Sequence, residues 1–156
     1  MNGVLINSSF LISSVLISAL ASHPRAAAAE QTGVIVCMTD KWDEREISKG
    51  HKVAEYAGRC ITVPTDTARE TIVADCVGKY EYMPDGSWKG VGTGVDHFKS
   101  GETRTFSWDE GSDLKEYRYT NTGGTGKFQN AKGGGTYFYV PITETVFSGT
   151  YKETSE

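Results

Sequence analysis

Residues 87–94 read SWKGVGTG, which sets glycine at positions 90, 92 and 94 of a stretch otherwise suited to a strand. Successive side chains on a strand leave opposite faces, so Gly90, Gly92 and Gly94 share one face. A face without side chains must be crowded by its neighbours or sharply curved, and glycine inside strands marks such bends at barrel corners. Fourteen of the 18 glycines fall from Gly78 onward. The stretch therefore points to a small closed barrel rather than a flat sheet.

The flanking sequence keeps the same rhythm. Thr71–Met83 reads as a strand ending at Pro84, Asp85 and Gly86, a turn in which Pro presets φ and Gly accepts a positive one. Ser87–Phe98 follows, then a turn over Lys99–Glu102, a strand over Thr103–Trp108, a turn over Asp109–Asp113 and a strand over Leu114–Thr120. A glycine-rich loop covers Asn121–Gly135, and Thr136–Val140 and Thr143–Lys152 close the chain. Upstream, Val34–Met38 is the first strand. Lys41–Gly50 (KWDEREISKG) is charged and reads as a loop or one helical turn; His51–Tyr56 and Arg59–Val63 read as two strands, or one bent at Gly58. Short strands separated by turns indicate an all-β sandwich or barrel.

Aromatic residues recur at alternate positions, as Tyr80/Tyr82, Phe106/Trp108, Tyr117/Tyr119 and Tyr137/Tyr139, so each pair shares a face of its strand. Those faces either fill a core poor in aliphatic residues or wall a ligand cavity.

The first 29 residues differ in kind. Phe10–Ala21 (FLISSVLISALA) is an apolar run of 12 residues, short of the roughly 20 needed to span a bilayer. The run leads to Ala27 and Ala29, the small pair of a secretory cleavage site. Residues 1–29 are thus expected to be a signal peptide and 30–156 one barrel domain, periplasmic or secreted. The whole chain carries a net charge of −4; losing Arg25, the one charged residue of the leader, makes it −5. An acidic chain without a Lys/Arg block lacks the electrostatic footprint of a nucleic-acid binder.

Cys37, Cys60 and Cys76 all lie beyond the leader, and in an oxidising compartment two would pair. Cys60 and Cys76 flank the polar stretch Pro64–Glu70, centred almost midway between them. If two strands fold back there, these two cysteines face each other, and a Cys60–Cys76 disulfide is expected. Cys37 is then a buried small hydrophobe, an intermolecular link or a reactive thiol.

Motifs for chemistry are lacking. GGTGKF at residues 123–128 fails the phosphate-loop pattern, which needs Gly where Asn121 stands and Ser or Thr where Phe128 stands. Asp96 and His97 are adjacent and leave opposite faces of a strand, so they form no acid–base pair. No paired-histidine or paired-cysteine spacing suggests a metal. The acidic clusters Asp40, Asp43, Glu44, Glu46 and Asp109, Glu110, Asp113 fall in expected loops, where solvation explains them.

Residues 123–137, GGTGKFQNAKGGGTY, resemble the segment GGTGKF-x-x-A-(K/R)-G of the dirigent proteins, and more loosely that of the allene oxide cyclases. Gly124, Gly126, Phe128, Ala131 and Gly133 match as they stand. The ending is also similar to that of small exported bacterial proteins of unknown function. The resemblance implies an eight-stranded, calycin-type antiparallel barrel with a lumen open at one end, able to hold an apolar molecule, with Phe128 plugging the barrel end. No position matches the catalytic residues of either family, so none is carried over.

The reading that follows is an exported barrel that binds a small apolar ligand without catalysis, lined by Tyr80, Trp88, Trp108, Tyr119 and Phe128. The alternatives are an isomerase or cyclase acting on a reactive apolar intermediate, and a structural or protein-interaction module. No cofactor, metal, nucleic acid, membrane span or oligomeric state is assigned.

Overall fold

A computed structural model describes residues 30–154. The expected signal peptide lies outside the described residues. Eight strands run in chain order as a closed antiparallel barrel: β1 Glu30–Ser48, β2 His51–Pro64, β3 Ile72–Tyr82, β4 Trp88–His97, β5 Thr103–Gly111, β6 Tyr117–Gly124, β7 Gly134–Pro141 and β8 Val146–Thr154. A single 3-10 turn, Gly126–Phe128, lies between β6 and β7. Pairing of β1 with β8, from Glu30↔Thr154 to Met38↔Val146, closes the ring.

The expected turns form. At Pro84–Gly86 the amide of Gly86 donates to the Met83 carbonyl, and Gly86 takes a φ of 87°. The Lys99–Glu102 turn places Gly101 at a φ of 83°.

The glycines of β4 explain the curvature. Its inner face reads Trp88, Gly90, Gly92, Gly94, Asp96, and large rings from neighbouring strands occupy the three gaps. Tyr80 lies over Gly90, Trp108 over Gly92, and Phe106 over Gly94. Gly78 on β3 accommodates Trp108 from the other side. A Cβ at Gly92 would overlap both the Trp108 ring and the Val77 carbonyl oxygen, which is backbone and cannot swing away. Gly92→Ala is therefore expected to destabilise the protein by about 3 kcal/mol, the upper part of the overpacking range. Ala at Gly86, where nothing crowds the added carbon, is expected to act only through its positive φ. Urea denaturation of the two variants checks the contrast.

One expectation for the first strands changes, and of the two alternatives for β2 the single strand holds. The charged stretch Lys41–Gly50 forms neither a helical turn nor a loop but continues β1 as far as Ser48, paired with β2 in the register Trp42↔Tyr56 to Ser48↔His51. A register shift between Thr39 and Lys41 bends the strand there. Beyond Met38 it no longer pairs with β8. This flap has one open edge and is exposed from Asp40 to Ser48, which is where charged residues discourage edge-to-edge association. Lys52 pairs across it with Glu44 at 2.7 Å. In β2, His51–Pro64 is one continuous strand.

The expected Cys60–Cys76 bond does not form; Cys37 and Cys60 are joined instead, and Cys76 is a buried free thiol. The register gives the reason. Cys37 stands directly opposite Cys60 on β1 and β2. Cys60 faces Ala74 on β3, while Cys76 faces Gly58, two residues further along. The turn midway between Cys60 and Cys76 is off-centre by one residue, which is enough to misalign them.

Candidate ligand site in the barrel lumen

The inner faces of the strands enclose a cavity of about 460 Å³. All eight residues of the four alternating aromatic pairs line it. Among the described residues no large side chain is fully enclosed, as expected where a core surrounds a hollow.

Four of the five residues expected to contact a ligand, Tyr80, Trp88, Trp108 and Tyr119, stand on the cavity wall. Phe128 does not. It stacks on Phe98 with ring centroids 4.2 Å apart, beside the Arg104 guanidinium at 6.0 Å. The GGTGKF loop that carries it closes on an internal anion: the Lys127 amide donates to Glu102 Oε1 at 2.9 Å, and Lys127 Nζ lies 3.6 Å from Glu102 Oε2.

Two polar stations interrupt the aromatic wall, and the sequence reading missed both. The first is Glu110 on β5, only 6% exposed. Tyr137 and Tyr139 donate to its Oε1 at 2.7 Å each; Tyr80 donates to Oε2 at 2.7 Å, and Tyr139 reaches the same oxygen at 2.8 Å. Burial pushes the Glu110 carboxyl above the usual carboxylate range, against the pull of the three phenol donors. Glu110 thus departs from the solvated loop expected of its cluster. It lies on the strand, two residues from Trp108 and four from Phe106, so alternation turns it inward with them. Tyr80 in turn packs 5.0 Å from Trp42, whose ring reaches back from the flap over this end of the lumen.

Arg104, Asp96 and Glu153 form the second station, on β5, β4 and β8. Arg104 donates to Asp96 Oδ2 at 2.8 Å and also pairs with Glu153 Oε1. Both carboxylates are 5% exposed. Burial raises the Asp96 carboxyl above its ordinary value although the guanidinium opposes it. Arg104 and Glu110 are six residues apart on one strand, so at about 3.3 Å per residue the stations are roughly 20 Å apart.

The two described histidines stay outside this chemistry. His97 lies 3.0 Å from Asp75 Oδ2, and His51 2.8 Å from Glu81 Oε1, both at the surface. Cys76 lines the cavity, where burial pushes its thiol up to about 12. Among the described residues no cluster of His, Cys, Asp and Glu is arranged to hold a metal.

No protein-family profile matches the sequence, and no curated protein does. Among solved structures, the chain superposes on a pterocarpan synthase dirigent protein with a TM-score of 0.52, over 95% of this chain and 99% of that one, at 11% identity. The barrel is dirigent-like. At that identity the likeness speaks for the fold alone. Within this dirigent-like barrel, the site rests on its own residues, above all Glu110 and the tyrosines around it.

Proposed function

We propose that the protein binds a small, largely apolar molecule inside its barrel, outside the cytoplasm. The observation that carries this is the 460 Å³ lumen, walled largely by aromatic rings, with its buried charged groups gathered at two stations, the composition typical of small-molecule pockets. The Cys37–Cys60 bond supports an oxidising compartment. The neutral fluorophore N-phenyl-1-naphthylamine is expected to bind one per chain by burying its apolar rings in the lumen. Ala74 lines the cavity and is 4% exposed, so Ala74→Phe is expected to fill the space and weaken the probe by about tenfold or more. Probe binding that ignores Ala74→Phe lies elsewhere and sinks the reading.

A second reading, an isomerase or cyclase, is favoured by one observation. Glu110 is a buried carboxyl with a raised pKa, held by three phenols on the lumen wall. Perturbed groups of that kind cluster at reactive sites. Native mass spectrometry of protein isolated from its own host separates the two: a binder releases one unchanged compound on denaturation, whereas an enzyme converts an added precursor.

A further inference from the structure

The charges on the lumen wall are unbalanced. Asp96, Glu110, Glu144 and Glu153 line the cavity against a single cation, Arg104. Arg104 is already shared between Asp96 and Glu153. Glu110 has no cationic partner among the described residues; its only polar contacts there are the hydroxyls of Tyr80, Tyr137 and Tyr139. A carboxylate offers about four acceptor positions, and the three phenols supply one proton each, with Tyr139 in reach of both oxygens. The three donors favour the charged form of the carboxyl against the burial that opposes it, and they take up most of its acceptor positions.

Those same phenols belong to a continuous aromatic surface. The Tyr80 ring lies 5.8 Å from Trp108 and 6.0 Å from Trp88, and the Tyr139 ring is 5.4 Å from Tyr117 and 5.3 Å from Phe147. The face of an aromatic ring is negative and attracts cations, most strongly where water is excluded. Rings and carboxylate therefore act in the same direction at this end of the lumen. They disfavour an anion, leave a neutral apolar molecule indifferent, and stabilise a positive charge that needs no hydrogen bond.

We propose that the lumen selects an organic cation with an apolar body, its charged group held against the tyrosine rings that surround Glu110. This rests on the reading of the lumen as a binding site and names the ligand class that the site takes. A substituted ammonium is the chemistry that fits, because ring faces and a buried negative charge recognise it without a free acceptor.

The test compares benzyltrimethylammonium with neopentylbenzene, which replaces its N⁺ by carbon and keeps its shape. In a merely apolar cavity the neutral hydrocarbon binds tighter, since the cation must lose its hydration. Titration of the wild-type protein at pH 7.5, read by tryptophan fluorescence, is expected to show the cation binding at least about tenfold tighter, as a desolvated cation–π contact allows. In Glu110→Gln, which removes the charge and leaves the rings, the ratio of the two affinities is expected to fall towards one. A wild-type lumen that takes neopentylbenzene as tightly as the cation, or tighter, overturns the cation and leaves the apolar binding site standing. If neither compound binds and N-phenyl-1-naphthylamine also fails, the binding site itself is overturned. The wild-type comparison decides even if Glu110→Gln does not fold.

Discussion

Arg104→Met is expected to lose about 3–5 kcal/mol of stability at neutral pH, the penalty for stranding buried charge by removing one partner, and to recover most of it under acid. Asp96 and Glu153 are each 5% exposed and both depend on the Arg104 guanidinium. Methionine fills much of the same volume but leaves two carboxylates facing each other in the wall. It also removes the cation beside the Phe98 and Phe128 rings, at 5.8 and 6.0 Å, a smaller loss of about 0.5–1 kcal/mol.

The sign of the pH dependence follows from Asp96. Its carboxyl is already raised in the folded protein by burial, with Arg104 holding it down. Without Arg104 it rises further. A carboxyl whose folded pKa lies above the unfolded value takes up its proton more readily when folded. Its penalty is absent below the unfolded pKa and grows as pH climbs towards the folded one. The gap between variant and wild type should therefore be small near pH 4 and full at pH 7.5. Surface carboxylates with lowered pKa, such as Asp75 bonded to Arg59 and His97, weaken in acid equally in both proteins and cancel. Guanidinium denaturation at the two pH values measures the difference. Adding Asp96→Asn and Glu153→Gln to Arg104→Met is expected to restore neutral stability. A loss of the same size at both pH values would mean that Arg104 contributes packing rather than charge.

The barrel was legible because its signals are local and periodic. Gly90, Gly92 and Gly94 share a face that must be crowded by its neighbours or curved, and alternation set the rings at 106/108, 117/119 and 137/139 on common faces before any neighbour was known. The polar stations were harder to see because they are exceptions to composition. Glu110 sits between Asp109 and Gly111 beside a third acid, Asp113, and a run of acids normally means solvent. The signal was nevertheless present: Phe106, Trp108 and Glu110 alternate, so the strand period that turned the rings inward turned Glu110 with them. Arg104, two residues before Phe106, obeys the same rule, and so does Asp96 after Gly94. What no periodicity could supply was the set of partners, since Tyr80, Tyr137 and Tyr139 come from strands β3 and β7. The flap misled for the opposite reason. KWDEREISKG has the composition of a loop, yet a strand with one unpaired edge requires such residues.

Reduction of the Cys37–Cys60 bond is expected to be the other large perturbation, about 3 kcal/mol from the unfolded chain regaining a loop that spans a sequence separation of 23. The cysteines face each other in the first barrel hairpin, where β1 also pairs with β8 to close the ring. The bond thus ties the closing strand to its sequence neighbour at Cys37, one residue before β8 pairing ends at Met38. Loss should appear as a lower urea midpoint in the presence of a phosphine reductant, with a slope that rises as the unfolded chain becomes less compact. Cys76 supplies the internal control. It is 7% exposed, and burial pushes its thiol up to about 12, so iodoacetamide should not modify the native protein. Unfolding without reductant should add one label, and digestion should return Cys37 and Cys60 in linked peptides. Two linked peptides carrying Cys60 and Cys76 would overturn the pairing, and with it the β2–β3 register that sets Cys76 opposite Gly58. Because the same register sets Tyr80, a donor to Glu110, opposite Ala54, the labelling pattern also bears on the geometry of the lumen.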